Sequence, residues 1–440
     1  DGIVKKMEND KYFIVVQKQY FKQLEDDRFS ILEDVKSVNI GNGIPATLSI
    51  GLGLSSEAYS QSYNYARVAI DLALARGGDQ AVIKDCNGIT YYGGKRDQTS
   101  RNTRVKARVK AEALREFITV KDKIFVMGHQ LTDVDSFGAA IGIYRAANAL
   151  EKRAYIVINE VSASLKPLYT AYENNPDYPE RLFLNSAEAL ELADESSMVV
   201  VVDTNRPGMT ECEELLHVAK TIVVLDHHRQ SSDNIDNALL SYIEPYASSA
   251  CEMVSEVLQY IVDDIKIPNL EASSLYAGIM IDTNNFMNKT GVRTFEAAAF
   301  LRRSGADITL VRKMFRDDME SYRAKAQIIS SAKVYHNKYA IARGENLTIE
   351  SPTIIGAQAA NELLDINEVK ASFVLTTYNG RIYVSARSID EVNVQIIMER
   401  LGGGGHMNAS GAQFDHTDMD EAVADLKQVI DDVIEGGEIE

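Results

Sequence analysis

The chain has 440 residues, 45% of them hydrophobic, which suffices for two or three buried cores rather than one. A formal charge of −18 excludes a protein that wraps long nucleic acid, because such binding is driven by Lys and Arg neutralising phosphates. The three scattered cysteines, Cys86, Cys212 and Cys251, make neither a zinc spacing nor a disulfide framework, and no run nears the ~18 apolar residues of a membrane-spanning helix.

In chain order, residues 1–95 read as a small α/β unit. Tyr12-Phe13-Ile14-Val15-Val16, Phe29-Ser30-Ile31-Leu32 and Ala46-Thr47-Leu48-Ser49-Ile50-Gly51 are predicted strands. Residues 62–76 carry Tyr65, Val68, Ala69 and Leu72 at helical spacing, and Gly77-Gly78 stops them. Strands at 81–84 and 90–92 close a hairpin around Asn87-Gly88. Residues 101–118 form a basic helix with Arg101, Arg104, Lys106, Arg108, Lys110 and Arg115. A DNA-binding helix and a solvated linker both fit it, and the acidic whole favours the linker.

From 119 to 300 strand and helix alternate, the pattern of a doubly wound parallel sheet. Helices are expected at 136–150, 248–265 and 272–282, and a strand at 154–158. Charged helical sequence from 295 to 334 reads as an exposed connector. The remainder is a separate α+β unit, with strands at 339–342, 371–375 and 381–385, a Gly-rich loop at 402–405 and a last helix at 419–434. The expected domains are therefore 1–98, 119–300 and 335–440, joined by helical segments 99–118 and 301–334. The fold class is α/β, a doubly wound parallel sheet with an α+β C-terminal domain behind it and a small α/β domain in front.

Chemistry concentrates in four clusters. His129-Gln130-Leu131-Thr132-Asp133-Val134-Asp135 follows the run 123–127, Asp203 ends 198–202, and Asp226-His227-His228 ends 221–225. Asp282 falls near the end of a helix. Carboxylates and imidazoles gathered at the carboxyl ends of parallel strands suit a site for two divalent metals, with Asp203 able to bridge them. Asp133 is also an ordinary helix cap, so capping competes with ligation there. In the third cluster one imidazole can ligate while its neighbour donates a proton, with Asp226 fixing its tautomer. Gly402, Gly403, Gly404 and Gly405 before His406 expose backbone amides that can cradle phosphate. Ser385 and Arg387 offer further donors.

The four clusters in this order, with Asp226-His227-His228 and the late Gly-Gly-Gly-Gly-His run, resemble the DHH phosphoesterases with their DHH-associated C-terminal domain. Residues 1–95 resemble the C-terminal part of a GGDEF domain, through 46–51 and Ala73-Leu74-Ala75-Arg76-Gly77-Gly78-Asp79-Gln80-Ala81. Where that family keeps its signature this chain reads Asp26-Asp27-Arg28-Phe29, which lacks the glycines and acidic pair of a cyclase. A degenerate GGDEF domain fused to a DHH phosphoesterase resembles the membrane-anchored bacterial phosphodiesterases that degrade cyclic di-AMP.

That resemblance implies two divalent metal ions, manganese by preference, and linear 5′-pApA as product. It places His129, Asp133 and Asp203 on one metal and Asp135, Asp203, His227 and Asp282 on the other. His228 and Asp226 would be catalytic, with His228 facing the scissile phosphate during attack by a metal-bridging water. Arg387, Ser385, Gly402 to Gly405 and His406 would hold the nucleotide. It also implies a homodimer on the cytoplasmic face of the membrane, anchored by segments before Asp1, and a preference for adenine. Three rival readings share the metal clusters: a RecJ-like exonuclease or oligoribonuclease acting on short linear nucleotides, an inorganic pyrophosphatase, and a non-catalytic cyclic-nucleotide receptor.

Overall fold

The computed structural model describes residues 2–7, 11–36, 47–55, 58–75, 78–86, 88–93, 99–228, 233–287, 289–316, 318–345, 347, 349, 351–389, 392–415 and 418–436. The chain forms two compact units, one of residues 96–316 and one of residues 1–95 together with 317–440.

The second unit begins with a hairpin of β1 (Gly2–Lys6) and β2 (Tyr12–Val16), followed by α1 (Lys18–Asp26) and α2 (Ile31–Lys36). β3 (Ile50–Gly53) runs parallel to β4 (Gln80–Asp85), which pairs antiparallel with β5 (Gly88–Gly93). α3 (Tyr59–Ala75) packs on that sheet through Val68, Ala69, Leu72 and Ala73. Phe29-Ser30-Ile31-Leu32 is not a strand; it turns from α1 into α2. Phe29 and Leu32 are buried while Ile31 is 42% exposed, so burial follows the three-residue spacing of a helical turn. The strand expected from 46 starts only at Ile50. Ala46, Gly77 and Asn87, invoked for a strand start, a helix stop and a turn, lie outside the described residues.

The unit of residues 96–316 opens with α4 (Thr99–Thr119), the basic helix. Ala107, Ala111, Leu114 and Ile118 recur at helical spacing and are all buried, the last three in the unit's main core. Lys106 pairs with Glu244 at 3.1 Å, and Lys110 donates to the Ser241 carbonyl at 3.0 Å. This segment is therefore part of the domain and not a solvated linker; its charge count masked an apolar stripe.

After α4 come β6 (Lys123–Met127), α5 (Val134–Ala149), β7 (Arg153–Val157), α6 (Lys166–Glu173), β8 (Phe183–Leu184) and α7 (Ser186–Leu192). β9 (Met198–Val202), α8 (Leu215–Val218), β10 (Thr221–Asp226) and β11 (Leu240–Ile243) complete the sheet. α9 (Ala250–Ile261), α10 (Asn269–Asp282), α11 (Val292–Arg303) and α12 (Ile308–Met314) close the unit. The strand order is β11-β10-β9-β6-β7-β8, with every neighbouring pair parallel. The chain winds outward from β6 through β8, then restarts at β9 on the other side, which makes the sheet doubly wound. One face packs Phe137, Ile141, Val254 and Leu275, and the other packs Phe125, Val199, Leu215 and Ile222. With both faces covered, β6, β9 and β10 can be continuously apolar. The order reverses between β6 and β9, and the crevice at their carboxyl ends is where such sheets bind ligands. Leu301, Ala306 and Val311 are buried in the same core, so the first part of the expected connector is packed rather than exposed.

In the other unit, α13 (Met319–Ser330) leads to β12 (Lys333–Tyr335), β13 (Tyr339–Gly344), α14 (Pro352–Leu363), β14 (Ala371–Tyr378) and β15 (Arg381–Ser388). α15 (Val394–Arg400), β16 (Gly404–His406), β17 (Ala409–Phe414) and α16 (Met419–Glu435) follow. They build a mixed sheet in the order β12-β13-β14-β15-β17-β16. The glycine run expected as a loop thus supplies an edge strand. A Cβ on Gly403 would stand 2.1 Å from the Gly411 carbonyl oxygen, so this close approach of two backbones requires glycine.

Candidate metal centre

The doubly wound sheet brings together all six residues proposed as metal ligands, and places the two proposed as catalytic beside them. His129 leaves β6, Asp203 ends β9, and Asp226, His227 and His228 end β10. Asp133 and Asp135 open α5, and Asp282 closes α10. His129, Asp133 and Asp203 present ligand atoms within 4.8 Å of one another; so do Asp135, His227 and Asp282, and so do Asp203, His227 and His228. Asp203 joins two of these groups. Its Oδ2 lies 3.4 Å from His129 Nε2, and its Oδ1 lies 3.2 Å from His227 Nε2 and 3.7 Å from His228 Nδ1.

Asp203 has a φ of +59°, a left-handed conformation uncommon outside glycine and the Asn/Asp pair. Its side chain is 3% exposed, and Oδ1 takes no hydrogen bond among the described residues. A buried carboxylate oxygen in that condition costs free energy unless a cation meets it. The charges around it point the same way. Burial, then the negative field of Asp282 and Asp203, holds the Asp135 carboxyl well above the usual carboxylate range. Burial likewise lifts Asp282 to about 6. Burial alone would depress the imidazoles, yet Asp133 and Asp203 raise His129 to about 11, and Asp203 and Asp135 raise His227 to about 9. Protons on imidazole thus stand where cations are wanted. No Lys or Arg comes within ion-pair distance of these carboxylates among the described residues. Imidazole nitrogens with carboxylate oxygens suit divalent ions of borderline to hard character, so the residues fit the expected group.

Surrounding contacts fix each side chain. Asp133 commits one oxygen to the cap and leaves the other facing His129. Oδ1 caps α5 by accepting from Ser136 N at 2.9 Å, and Oδ2 lies 3.6 Å from His129 Nε2. Asp135 accepts from the amides of Ala250 and Cys251 at 2.6 and 2.9 Å, at the start of α9. Gly278 of α10 leaves room for it, since a Cβ there would stand 2.9 Å from Asp135 Oδ1. Asp226 is fully buried. Its Oδ1 takes the His228 amide at 3.0 Å and His228 Nδ1 at 2.8 Å, while Oδ2 takes Asn205 Nδ2. Asp226 therefore orients His228.

Sequence reasoning missed Asn205 and Glu211. Asn205 lies two residues after Asp203, and that spacing was the available signal. Glu211 accepts from Thr132 Oγ1 at 2.9 Å and from Asn159 Nδ2 at 2.6 Å, bracing the loop that carries His129. Nothing in the sequence marks it.

The proposed substrate residues lie in the other unit. β15 pairs Ser385 with Gly411 and Arg387 with Ala409, and β17 pairs Gly411 with Gly404 and Ala409 with His406. Residues opposite in register share a face, so Ser385 and Arg387 stand on the same face of the sheet edge as Gly404, and the His406 backbone pairs in that register. The His406 side chain lies outside the described residues. Ala409, Gly411 and Gly404 on that face are small, and Gly404 has open space where a Cβ would be. Arg387 is half-buried, donates to the Ala386 carbonyl at 2.9 Å, and meets no carboxylate among the described residues. Burial lowers its pKa. A partly desolvated guanidinium without a counter-ion favours an anion.

Residues 123–279 match the DHH family, N-terminal domain; residues 347–435 match the DHHA1 domain. Residues 1–90 match the cyclic-di-AMP phosphodiesterase GdpP-like, GGDEF domain. The chain is 40% identical over 99% of its length to the cyclic-di-AMP phosphodiesterase GdpP of Geobacillus thermodenitrificans. It is 39% identical over 97% to the cyclic-di-AMP phosphodiesterase PdeA of Listeria monocytogenes. It spans 66% and 65% of those relatives' length. In fold it is similar to an exopolyphosphatase-related protein from Bacteroides fragilis, with TM-score 0.61 and 21% identity, covering 74% of this chain and 96% of that one.

Proposed function

With residues 123–279 belonging to the DHH family and a DHHA1 domain behind them, we propose that this chain is a phosphodiesterase hydrolysing cyclic di-AMP to linear 5′-pApA. The observation that carries the reading is Asp203: a buried carboxylate whose Oδ1 takes no hydrogen bond among the described residues, common to two groups of side chains able to hold a metal. The substrate comes from the relatives of 40% and 39% identity.

His129, Asp133 and Asp203 would hold one divalent cation, and Asp135, Asp203, His227 and Asp282 the second, manganese by preference. Bound there, the cations supply Lewis acidity toward the phosphoryl oxygens and toward an attacking water. The chain's own residues do the rest. Asp226, steadied by Asn205, holds His228 by Nδ1 and leaves Nε2 to donate to the departing 3′ oxygen. Arg387 and the open space at Gly404 would take the phosphate and the nucleoside, together with Ser385, Gly402, Gly403, Gly405 and His406. Attachment to the cytoplasmic face of a membrane through segments outside these residues, and pairing of two copies, complete the proposal by family resemblance. Among the described residues no helix is long and apolar enough to cross a membrane.

Incubation with cyclic di-AMP, cyclic di-GMP, 5′-pApA and pyrophosphate, each with and without manganese, tests it. Manganese-dependent appearance of 5′-pApA from cyclic di-AMP is the expected result. Unchanged cyclic di-AMP would leave a receptor as the better reading.

A further inference from the structure

The hairpin of β16 and β17 is gripped from the GGDEF-like segment. Met407, in the turn between the two strands, is 8% exposed, and its side chain clusters with Val68, Ala69, Leu72 and Ala73 of α3 and with Val82 of β4. Its carbonyl accepts from Val394 N at 2.9 Å and from Ser388 Oγ at 3.3 Å, tying the turn to α15 and β15. A second contact falls ahead of the glycine run. Asn393 caps α15, its Oδ1 accepting from Gln395 N at 3.0 Å, and its Nδ2 donates to Asp71 Oδ2 of α3 at 3.2 Å. α15 runs directly into the glycines: the amides of Gly402 and Gly403 bond back to Glu399 and Met398 carbonyls at 3.0 and 2.8 Å.

The segment 402–406 is thus tied to α3 from both sides, by the α15 cap before it and by Met407 after it. Left alone, a three-residue edge strand with two glycines, paired on one side only, would order itself at high entropic cost. We propose that α3 of the GGDEF-like segment is a positioning element of the nucleotide-binding face, holding β16 in place through Met407 and the Asp71–Asn393 bond. This rests on the reading above that the face of Arg387 and Gly404 takes the nucleotide. It gives the degenerate segment a task that needs no cyclase chemistry.

The test uses the full chain. Asn393→Asp keeps the α15 cap, because aspartate caps as well as asparagine, but sets a carboxylate against Asp71. With manganese present, KM for cyclic di-AMP should rise about fivefold or more while kcat stays within about twofold. Adding Asp71→Asn restores a donor–acceptor pair of reversed polarity and should return KM to near the parent value. A KM unmoved by Asn393→Asp, or raised and not rescued by Asp71→Asn, overturns the proposal. Arg387→Ala, assayed alongside, separates the two readings. If it raises KM while Asn393→Asp does not, the role of α3 fails alone; if neither moves KM, the nucleotide face itself is wrong.

Discussion

Asp203 shows how much of the centre is written in single residues. A carboxylate at the end of five apolar residues is costly without a partner, and the structure surrounds it with three imidazoles while Oδ1 takes no hydrogen bond among the described residues. Asp133 was ambiguous in sequence because cap and ligand use the same side chain; the structure commits Oδ1 to the cap and leaves Oδ2 facing His129. Asn205 offered only its spacing from Asp203, and Glu211 was illegible, since a polar residue in a βα loop looks the same whether it faces water or braces a neighbour. Asn205→Ala should leave the fold intact and lower kcat by about 10–100-fold, because His228 loses the support of a fixed Asp226. Steady-state kinetics beside a thermal melt checks this. The imidazoles also predict a proton linkage. Without metal, His129 and His227 are raised to about 11 and 9, so both are protonated at pH 7.5 and must deprotonate to ligate. Metal binding should therefore release protons and weaken as pH falls. Calorimetry in buffers of different ionisation enthalpy measures the release; a buffer-independent heat would contradict it.

At the level of elements, periodicity located what burial enforces and missed what contact imposes. The continuous runs of β6, β9 and β10 announced a sheet covered on both faces. Of the readings that failed, two show the physical reason most clearly. Phe29-Ser30-Ile31-Leu32 alternates as a strand would, but its buried pair sits three apart on a turn of helix. In the basic helix α4 the eye follows six cations, and the smaller Ala-Leu-Ile stripe decides where it packs. Leu114→Ala should accordingly cost about 2–5 kcal/mol of stability, as for any large-to-small change in a core. A solvated linker would lose almost nothing, and denaturant unfolding distinguishes the two. Gly403→Val should prevent β16 from pairing with β17 and raise KM rather than abolish turnover, since the metal side chains belong to the other unit.

Across the whole molecule, topology does what no local motif can. Side chains from residue 129 to residue 282 meet because the strand order reverses between β6 and β9, and the loops leaving β6, β9 and β10 open on the same edge. The alternation of strand and helix made that sheet legible. The packing of the first 95 residues with the last 124 in one unit was not, because contacts between distant segments leave no local periodicity. The proposed chemistry needs a pair of cations at this centre, and counting ions tests it most directly. Equilibrium dialysis against manganese, followed by metal analysis, should find two ions per chain in the parent and fewer than one after Asp203→Asn. A parent that stays metal-free, or a variant that still carries two, would contradict it.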